Sequence, residues 1–303
     1  KLKWEGYDAV AQTRDAERYI RERDKEKPFA LFLSWGPPHD PYETAPPEYR
    51  AMYDANTLTL PPNVPREFEA TARRISAGYY AHCSVLDTCV GDLLKTIDDC
   101  SIADDTIFVF TSDHGDMLGS RSETHKQRPW DESIRVPFLL RYPKKFGRRA
   151  HRNDMMLTSV DLMPTMLSLC GAEIPDSVQG RDRSRELDRG GGAENDAALL
   201  TSYVPFGQWI RSKGGREYRG VRTPRYTYVR SLDGPWLLYD NETDPYQLAN
   251  LCNVPGHEKL QRHLETILAR KLEEADDELR PSQRYIEKWG YKTDANETVR
   301  YTA

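Results

Sequence analysis

The 303 residues carry 43 Lys plus Arg against 48 Asp plus Glu, a net charge of −5, with 38% hydrophobic, 30% charged and 10% aromatic residues. That balance excludes a collagen-like, coiled-coil or wholly disordered chain, and a mildly acidic total gives no electrostatic reason to expect a nucleic-acid partner. The length predicts about two domains, or one large domain with an appendage. The longest apolar stretch, Pro28 to Trp35, falls far short of the ~20 residues a membrane-spanning helix needs, so no span is expected. The opening Lys1-Leu2-Lys3-Trp4-Glu5-Gly6 has no apolar core of a signal peptide; any targeting segment is expected to be absent or removed. Five cysteines (Cys83, Cys89, Cys100, Cys170, Cys252) without a CxxC pair argue against a zinc site or a disulfide scaffold and are read as buried or free thiols.

Residues 7 to 26 read as an exposed helix with a weak apolar stripe of Val10, Ala16, Tyr19 and Ile20. Phe29-Ala30-Leu31-Phe32-Leu33-Ser34-Trp35, bounded by prolines, predicts a strand buried on both faces. The rigid loop Gly36-Pro37-Pro38-His39-Asp40-Pro41-Tyr42 follows it. From Ala72 to Asp99 the residues Ile75, Tyr79, Cys83, Leu86, Val90, Leu93 and Ile97 repeat at three or four, which predicts a long amphipathic helix. Thr106 to Thr111 is a second buried strand, ending in Ser112-Asp113-His114-Gly115-Asp116; Val136 to Arg141 is a third. Asp161 to Leu169 reads as a short helix with Pro164 in its first turn and Gly171 as its stop. Arg181 to Asp196, with Gly190-Gly191-Gly192, is a surface loop. Beyond about Thr201 the pattern changes. Glu217 to Arg230 and Pro235 to Asp240 read as strands around a turn at Asp233-Gly234, followed by a helix carrying Leu260, Leu264, Ile267, Leu268 and Leu272. Buried strands alternating with helices predict an α/β fold with a mostly parallel central sheet, plus a small C-terminal antiparallel sheet with a helix. The expected division is 1–205 and 206–303.

Two polar constellations stand at the carboxyl ends of predicted buried strands, the edge where open α/β sheets bind ligands: His39, and Asp113-His114. An Asp-His step supplies one hard oxygen and one imidazole, enough to begin a divalent cation site but not to complete the roughly six to eight ligands of Ca²⁺. An Asp capping a turn beside a surface His describes the same two residues. Lys126 follows in the polar loop Ser120-Arg121-Ser122-Glu123-Thr124-His125-Lys126. A metal, a Lys and a His facing one point make a site for a tetrahedral oxyanion such as sulfate or phosphate; a solvated surface Lys is the plainer reading of Lys126 alone. Arg121, His125 and Arg128 would read substrate charge or simply form a solvated loop face. Asn241-Glu242-Thr243 and Asn296-Glu297-Thr298 have the form of glycosylation sequons, which also arise by chance. Trp35, Trp130, Trp209, Trp236 and Trp289 read as packing residues, with Trp130 near enough to Lys126 to line a pocket.

These residues carry a resemblance. The Phe29–Ser34 run and Pro38-His39-Asp40-Pro41-Tyr42 resemble the strand and P-H-x-P-Y loop of the sulfatase family. Tyr79-Tyr80-Ala81 through Asp87, with Val90-Gly91-Asp92-Leu93-Leu94, resembles that family's long helix. Phe108-Val109-Phe110-Thr111-Ser112-Asp113-His114-Gly115-Asp116-Met117-Leu118-Gly119 is similar to its metal-loop signature. Glu132-Ser133-Ile134-Arg135-Val136-Pro137, Val160-Asp161-Leu162-Met163-Pro164-Thr165, and Arg222-Thr223 with Tyr226, Leu238-Tyr239-Asp240 and Asp244-Pro245 match further blocks in order.

The resemblance implies an alkaline-phosphatase-like α/β fold and a sulfuric-ester hydrolase that uses Ca²⁺, with Mg²⁺ or Mn²⁺ as alternatives. It implies Asp113 and His114 as metal ligands, Lys126 as a contact to the sulfate and the nucleophile, and His39 as a hydrogen-bond partner near the leaving oxygen. His125 and Arg121 become substrate-binding candidates. His114 stands where many relatives have Asn, a variant shared with phosphonate and phosphodiester hydrolases of the superfamily. The family's nucleophile is a formylglycine made in a C/S-x-P-x-R motif, and no such motif occurs in this sequence. The expectation is therefore the C-terminal two-thirds of a sulfatase, inactive alone, with the formylglycine, an Asp-Asp metal pair and the first strands in a missing N-terminal segment. Ser112 or Thr111 as a stand-in nucleophile has no evident activating base. A non-catalytic module of the same fold is the alternative from another class. The expected partners are a sulfated small molecule or glycan and either the missing segment or a second copy. A large exposed apolar sheet edge is expected wherever that segment would lie. The resemblance points to periplasmic, secreted or lysosome-like proteins and leaves the compartment open.

Overall fold

The computed structural model describes residues 4–189, 196–295 and 298. The chain forms two compact units: residues 1–111, 117–124 and 137–149 in the first, and 112–116, 125–136 and 150–303 in the second. Gly190-Gly191-Gly192 and Asn296 of the second predicted sequon lie outside the described residues.

In the first unit, α1 (Asp8–Glu22) packs on α2 (Glu69–Asp99). Ala16 and Ile20 of α1 meet Leu93 and Ile97 of α2, and Phe29, Leu33, Trp35 and Phe108 close over them. Burying each large aliphatic side chain stabilises this seam by about 1.5–3 kcal/mol. Thr96 of α2 stitches its edge, donating to Glu17 at 2.9 Å and accepting from Arg21 at 3.1 Å. The buried face of α1 is Ala9, Thr13, Ala16 and Ile20, one step round from the predicted stripe, and Tyr19 is exposed. The small residues sit inward because they allow close approach to α2. Strands β1 (Phe108–Thr111) and β2 (Phe138–Arg141) pair antiparallel, Phe108 opposite Arg141 and Thr111 opposite Phe138.

Phe29–Trp35 departs from its predicted state. It runs in no assigned strand and pairs with no described strand. It is anchored by side chains alone: Phe29, Leu33 and Trp35 face the helices, while Phe32 is 95% exposed. The described sheets are both antiparallel. A parallel ladder needs a neighbour running the same way, whereas Phe29, Leu33 and Trp35 pack, as Phe108 of β1 does, against one hydrophobic cluster.

The second unit is built on β3 (Ala198–Ser202), β4 (Tyr218–Arg222), β5 (Tyr226–Ser231) and β6 (Gly234–Asp240), an antiparallel sheet in chain order. Side chains alternate as the strand period of two requires. Val221, Tyr228 and Leu238 face α4 (Glu258–Glu274) through Leu264, Ile267 and Leu268; Tyr218, Val229, Leu237 and Tyr239 face Trp209. The predicted single strand over 217–230 is split by the turn Thr223 to Arg225, whose Thr223 amide bonds back to the Tyr226 carbonyl at 2.8 Å. A fifth helix, α5 (Ser282–Trp289), ends the described fold. Helix α3 (Ser159–Leu169) opens on a Thr158/Asp161 capping box, so Pro164 lies beyond the first turn. Pro164 has no amide to bond the Val160 carbonyl, and Gly180 packs against that oxygen so closely that a Cβ would come within 1.8 Å. All five cysteines are free thiols. Among the described residues no helix is long and apolar enough to cross a membrane.

Candidate active site

Of the predicted site residues, Asp113, His114, His125 and Lys126 belong to the second unit, His39 and Arg121 to the first. The Asp113 loop leaves the end of β1 and is held by its own backbone. The Ser112 hydroxyl donates to the His114 carbonyl at 2.8 Å, and the His114 amide donates to Asp113 Oδ1 at 3.0 Å. Gly115 donates its amide to the Ser133 carbonyl at 2.9 Å. A Cβ on Gly115 would lie 2.0 Å from the Glu132 carbonyl oxygen, so this approach requires glycine.

His114 Nδ1 bonds the Gly115 carbonyl at 2.7 Å, which gives that nitrogen the proton and leaves Nε2 as the ring's lone-pair atom. Nε2 lies 3.6 Å from Asp113 Oδ2. Two donors at that separation both reach one cation at the ~2.3–2.6 Å of Ca²⁺–oxygen contacts. The Asp113 side chain is 86% exposed, so its carboxylate is open to a ligand. Among the described residues no group of three or more His, Cys, Asp or Glu side chains gathers for a metal. The pair fits as part of a shell, its carboxylate suited to Ca²⁺, Mg²⁺ or Mn²⁺ and its imidazole a departure from the all-oxygen set of Ca²⁺.

Asp116, which the sequence reading passed over, ties this loop to the next: its Oδ1 accepts from the His125 amide at 3.0 Å. Lys126 stands between His125 (φ 64°) and Gln127 (φ 77°), and Leu118, Arg121 and Ser122 are also left-handed. Such backbone is costly for non-glycine residues and collects at functional sites. Here it is held by bonds. Arg128, buried, donates to the Lys126 carbonyl and lies 5.5 Å over the Trp209 ring. Tyr218 donates to the Gln127 carbonyl at 3.4 Å. Trp130 packs edge-on to Trp236, and Asp131 takes a bidentate pair from Arg222 at 2.9 and 3.0 Å. Arg128 and Trp130 therefore serve the loop's architecture. No sequence signal marks the Asp131–Arg222 pair, whose members are 91 positions apart.

Within the first unit, the His39 loop is clamped from below. His39 Nδ1 bonds the Asp40 carbonyl at 3.1 Å and lies 2.9 Å from the Asp40 carboxylate. Tyr42 is buried, and its carbonyl would lie 2.3 Å from a Cβ on Gly78 of α2. His82, also buried in α2, donates from Nε2 to the Pro41 carbonyl at 3.3 Å and accepts the Tyr7 hydroxyl at Nδ1. Burial lowers the His82 pKa despite the Pro41 contact, and burial together with Asp8 raises that of Tyr7. Both stay neutral and the tautomer is fixed. Arg121 is anchored by its amide to the Asn63 carbonyl at 2.8 Å.

The sulfatase family profile matches residues 3–172, and that of the N-sulphoglucosamine sulphohydrolase C-terminal region matches 123–274. An ulvan-active sulfatase from Formosa agariphila is 37% identical over 294 residues, covering 95% of this chain and 56% of that protein. An endo-4-O-sulfatase from Bacteroides thetaiotaomicron is 32% identical over 280 residues, covering 81% and 52%. The chain thus spans about half the length of these relatives. The solved yidJ protein of Bacteroides fragilis superimposes with a TM-score of 0.78 at 30% identity, over 92% of this chain and 60% of that one. The phosphonate monoester hydrolase of Agrobacterium radiobacter shares the fold at 0.73 and 21% identity, over 89% and 62%. Profile, relatives and fold agree, and the chain belongs to the sulfatase family, with the alkaline-phosphatase-like fold.

Proposed function

We propose that this chain is the portion of a sulfuric-ester hydrolase that supplies part of the cation shell and the anion-contacting side chains for a sulfated glycan. The observation that carries the reading is the paired donors: Nε2 of His114 aimed by its Nδ1 bond, 3.6 Å from Asp113 Oδ2. Relatives described as ulvan-active and endo-4-O-sulfatases support a glycan over a small aryl ester. A divalent cation bound by Asp113 and His114, with Ca²⁺, Mg²⁺ and Mn²⁺ as candidates, supplies charge against the sulfuryl oxygens, and a formylglycine outside this sequence supplies the nucleophile. Lys126 Nζ adds a second positive charge to those oxygens as negative charge grows on the departing group. His39, its Nδ1 donating to the Asp40 carbonyl, meets the leaving oxygen through Nε2, and it carries a proton there only as the imidazolium beside the Asp40 carboxylate. His125 and Arg121 contact substrate charge.

In the first unit Leu31 and Phe32 of the Phe29–Trp35 run are exposed, Phe32 at 95%, and so is Leu139 of β2 at 60%. Large apolar side chains this exposed favour a cover. That supports the reading in which further chain completes the sheet and the nucleophile, and in which these 303 residues alone are inactive. A phosphonate or phosphodiester hydrolase is the second reading, favoured by the imidazole at position 114 and by the shared fold. Side-by-side rates of the full-length product on sulfated oligosaccharides and on phosphonate and phosphate esters decide between them. Faster sulfate turnover is expected; preference for the phosphorus esters overturns the assignment. Absence of turnover and of any Ca²⁺ effect on stability would point to a non-catalytic module.

A further inference from the structure

A cleft of about 540 Å³ opens in the second unit beside α5, apart in sequence from the Asp113–Lys126 loops. One wall is aromatic. Tyr285 and Trp289 lie one helical turn apart with rings stacked at 5.4 Å and 25°, and Tyr203 meets both edge-on at 4.9 and 5.7 Å. The wall is fixed from behind. Arg219, fully buried, sits 3.8 Å under the Tyr203 ring, pairs with Asp277 at 2.5 and 3.1 Å and donates to the Tyr285 hydroxyl at 2.9 Å. A buried, fully paired Arg holding two rings is rigid, so little ordering remains to be done on binding. Trp289 nevertheless leaves 47% of its surface exposed. Around the cleft stand Arg280, paired with Glu278 at 2.5 Å, Arg284, paired with Glu287 at 3.7 Å, and Lys288, whose ammonium lies 6.0 Å over the Trp289 ring, together with Asp276.

We propose that this cleft is an accessory saccharide site, which takes one sugar unit of a sulfated glycan chain away from the hydrolytic centre. The exposed part of the Trp289 indole suits the apolar C–H face of a pyranose, carboxylates accept its hydroxyl protons, and Arg284 and Lys288 meet a sulfate. The volume lies within the ~300–1,000 Å³ of small-ligand clefts. The sulfate component of the ligand rests on the glycan reading above; the sugar stacking does not.

The 303-residue chain is run in affinity gels containing dextran sulfate or unsulfated dextran, with tryptophan fluorescence as a second readout. Retardation by dextran sulfate is expected. Trp289→Ala weakens it at least tenfold, and Arg284→Ala with Lys288→Ala abolishes the excess over dextran while circular dichroism stays unchanged. Both substitutions alter surface side chains, so the second set tests the site if the first disturbs α5. Equal binding by the parent and Trp289→Ala overturns the proposal, as does absence of retardation. Loss on Lys126→Ala alone would place the glycan at the catalytic loop and also overturns it. Hydrolysis is measured separately on the full-length product, so binding without turnover indicts the catalytic reading and turnover without binding indicts this one.

Discussion

Lys126 is carried by backbone that is left-handed on both sides, at His125 and Gln127. Each such residue costs of order 1–3 kcal/mol and persists only where neighbours over-determine it. The neighbours are named: Asp116 on the His125 amide, Arg128 on the Lys126 carbonyl, Tyr218 on the Gln127 carbonyl. The arrangement spends stability to present one ammonium group. Lys126→Ala in the full-length enzyme should lower kcat/KM on a sulfate ester by about 10²–10³ with the unfolding midpoint unchanged; steady-state kinetics and a thermal melt check both parts. Asp131→Ala should do the reverse kind of damage. It strands Arg222 in a buried site, and breaking a buried pair costs about 3–5 kcal/mol, measurable by urea unfolding. Among the thiols, burial pushes the Cys83 pKa up to about 11, whereas Cys170 is exposed. A disulfide reagent at pH 8 should therefore label Cys170 fast and Cys83 slowly, as peptide mapping would show.

At the scale of elements, α5 is tethered to the sheet through Glu217. Its Oε1 accepts from the Ser282 amide at 2.6 Å, and Arg211 grips both carboxylate oxygens at 2.7 and 2.9 Å. Burial would raise this carboxyl's pKa, but the Arg211 and Ser282 bonds override it and hold the group below the ordinary glutamate value. A folded pKa below the unfolded one gives stability that is full above the unfolded value of about 4.3 and is lost as the pH falls toward the folded one. Amide exchange across 282–289 should accelerate on acidification below about pH 4.3, and Glu217→Gln should flatten that dependence. Gly115→Ala should distort the Asp113 loop, since its Cβ would collide with the Glu132 carbonyl; weaker cation dependence of the full-length enzyme is the readout. The long helix α2 and the C-terminal hairpins were legible because their apolar residues recur at 3.6 and at 2. The Phe29 run was misread in its pairing because a continuous apolar string states that a segment is hydrophobic, not which of its faces is covered. Helix α5 escaped notice because its apolar contacts, Tyr285 and Ile286, are too few to set a period.

At the scale of the whole molecule, the ordered blocks from Phe29 to Pro245 pointed to the family because each joins a hydrophobic element to a polar loop, and both parts are written locally. The candidate ligands Asp113 and His114 were legible for the same reason. What holds this loop and the Lys126 loop was not: the Gly115 carbonyl on His114, Asp116 on the His125 amide and Arg128 on the Lys126 carbonyl act through backbone conformation and contacts that leave no periodic trace. Phe32 is bare, and the chain spans about half the length of each of these relatives. The account stands or falls on whether Asp113 and His114 hold a cation that sulfate-ester cleavage needs. The direct measurement is turnover of a sulfated oligosaccharide by the full-length enzyme, before and after chelation, alongside an Asp113→Ala variant shown to be folded by circular dichroism. The account predicts loss of turnover on chelation, recovery with Ca²⁺ or Mn²⁺, and no recovery in the variant; turnover indifferent to both chelator and substitution would contradict it.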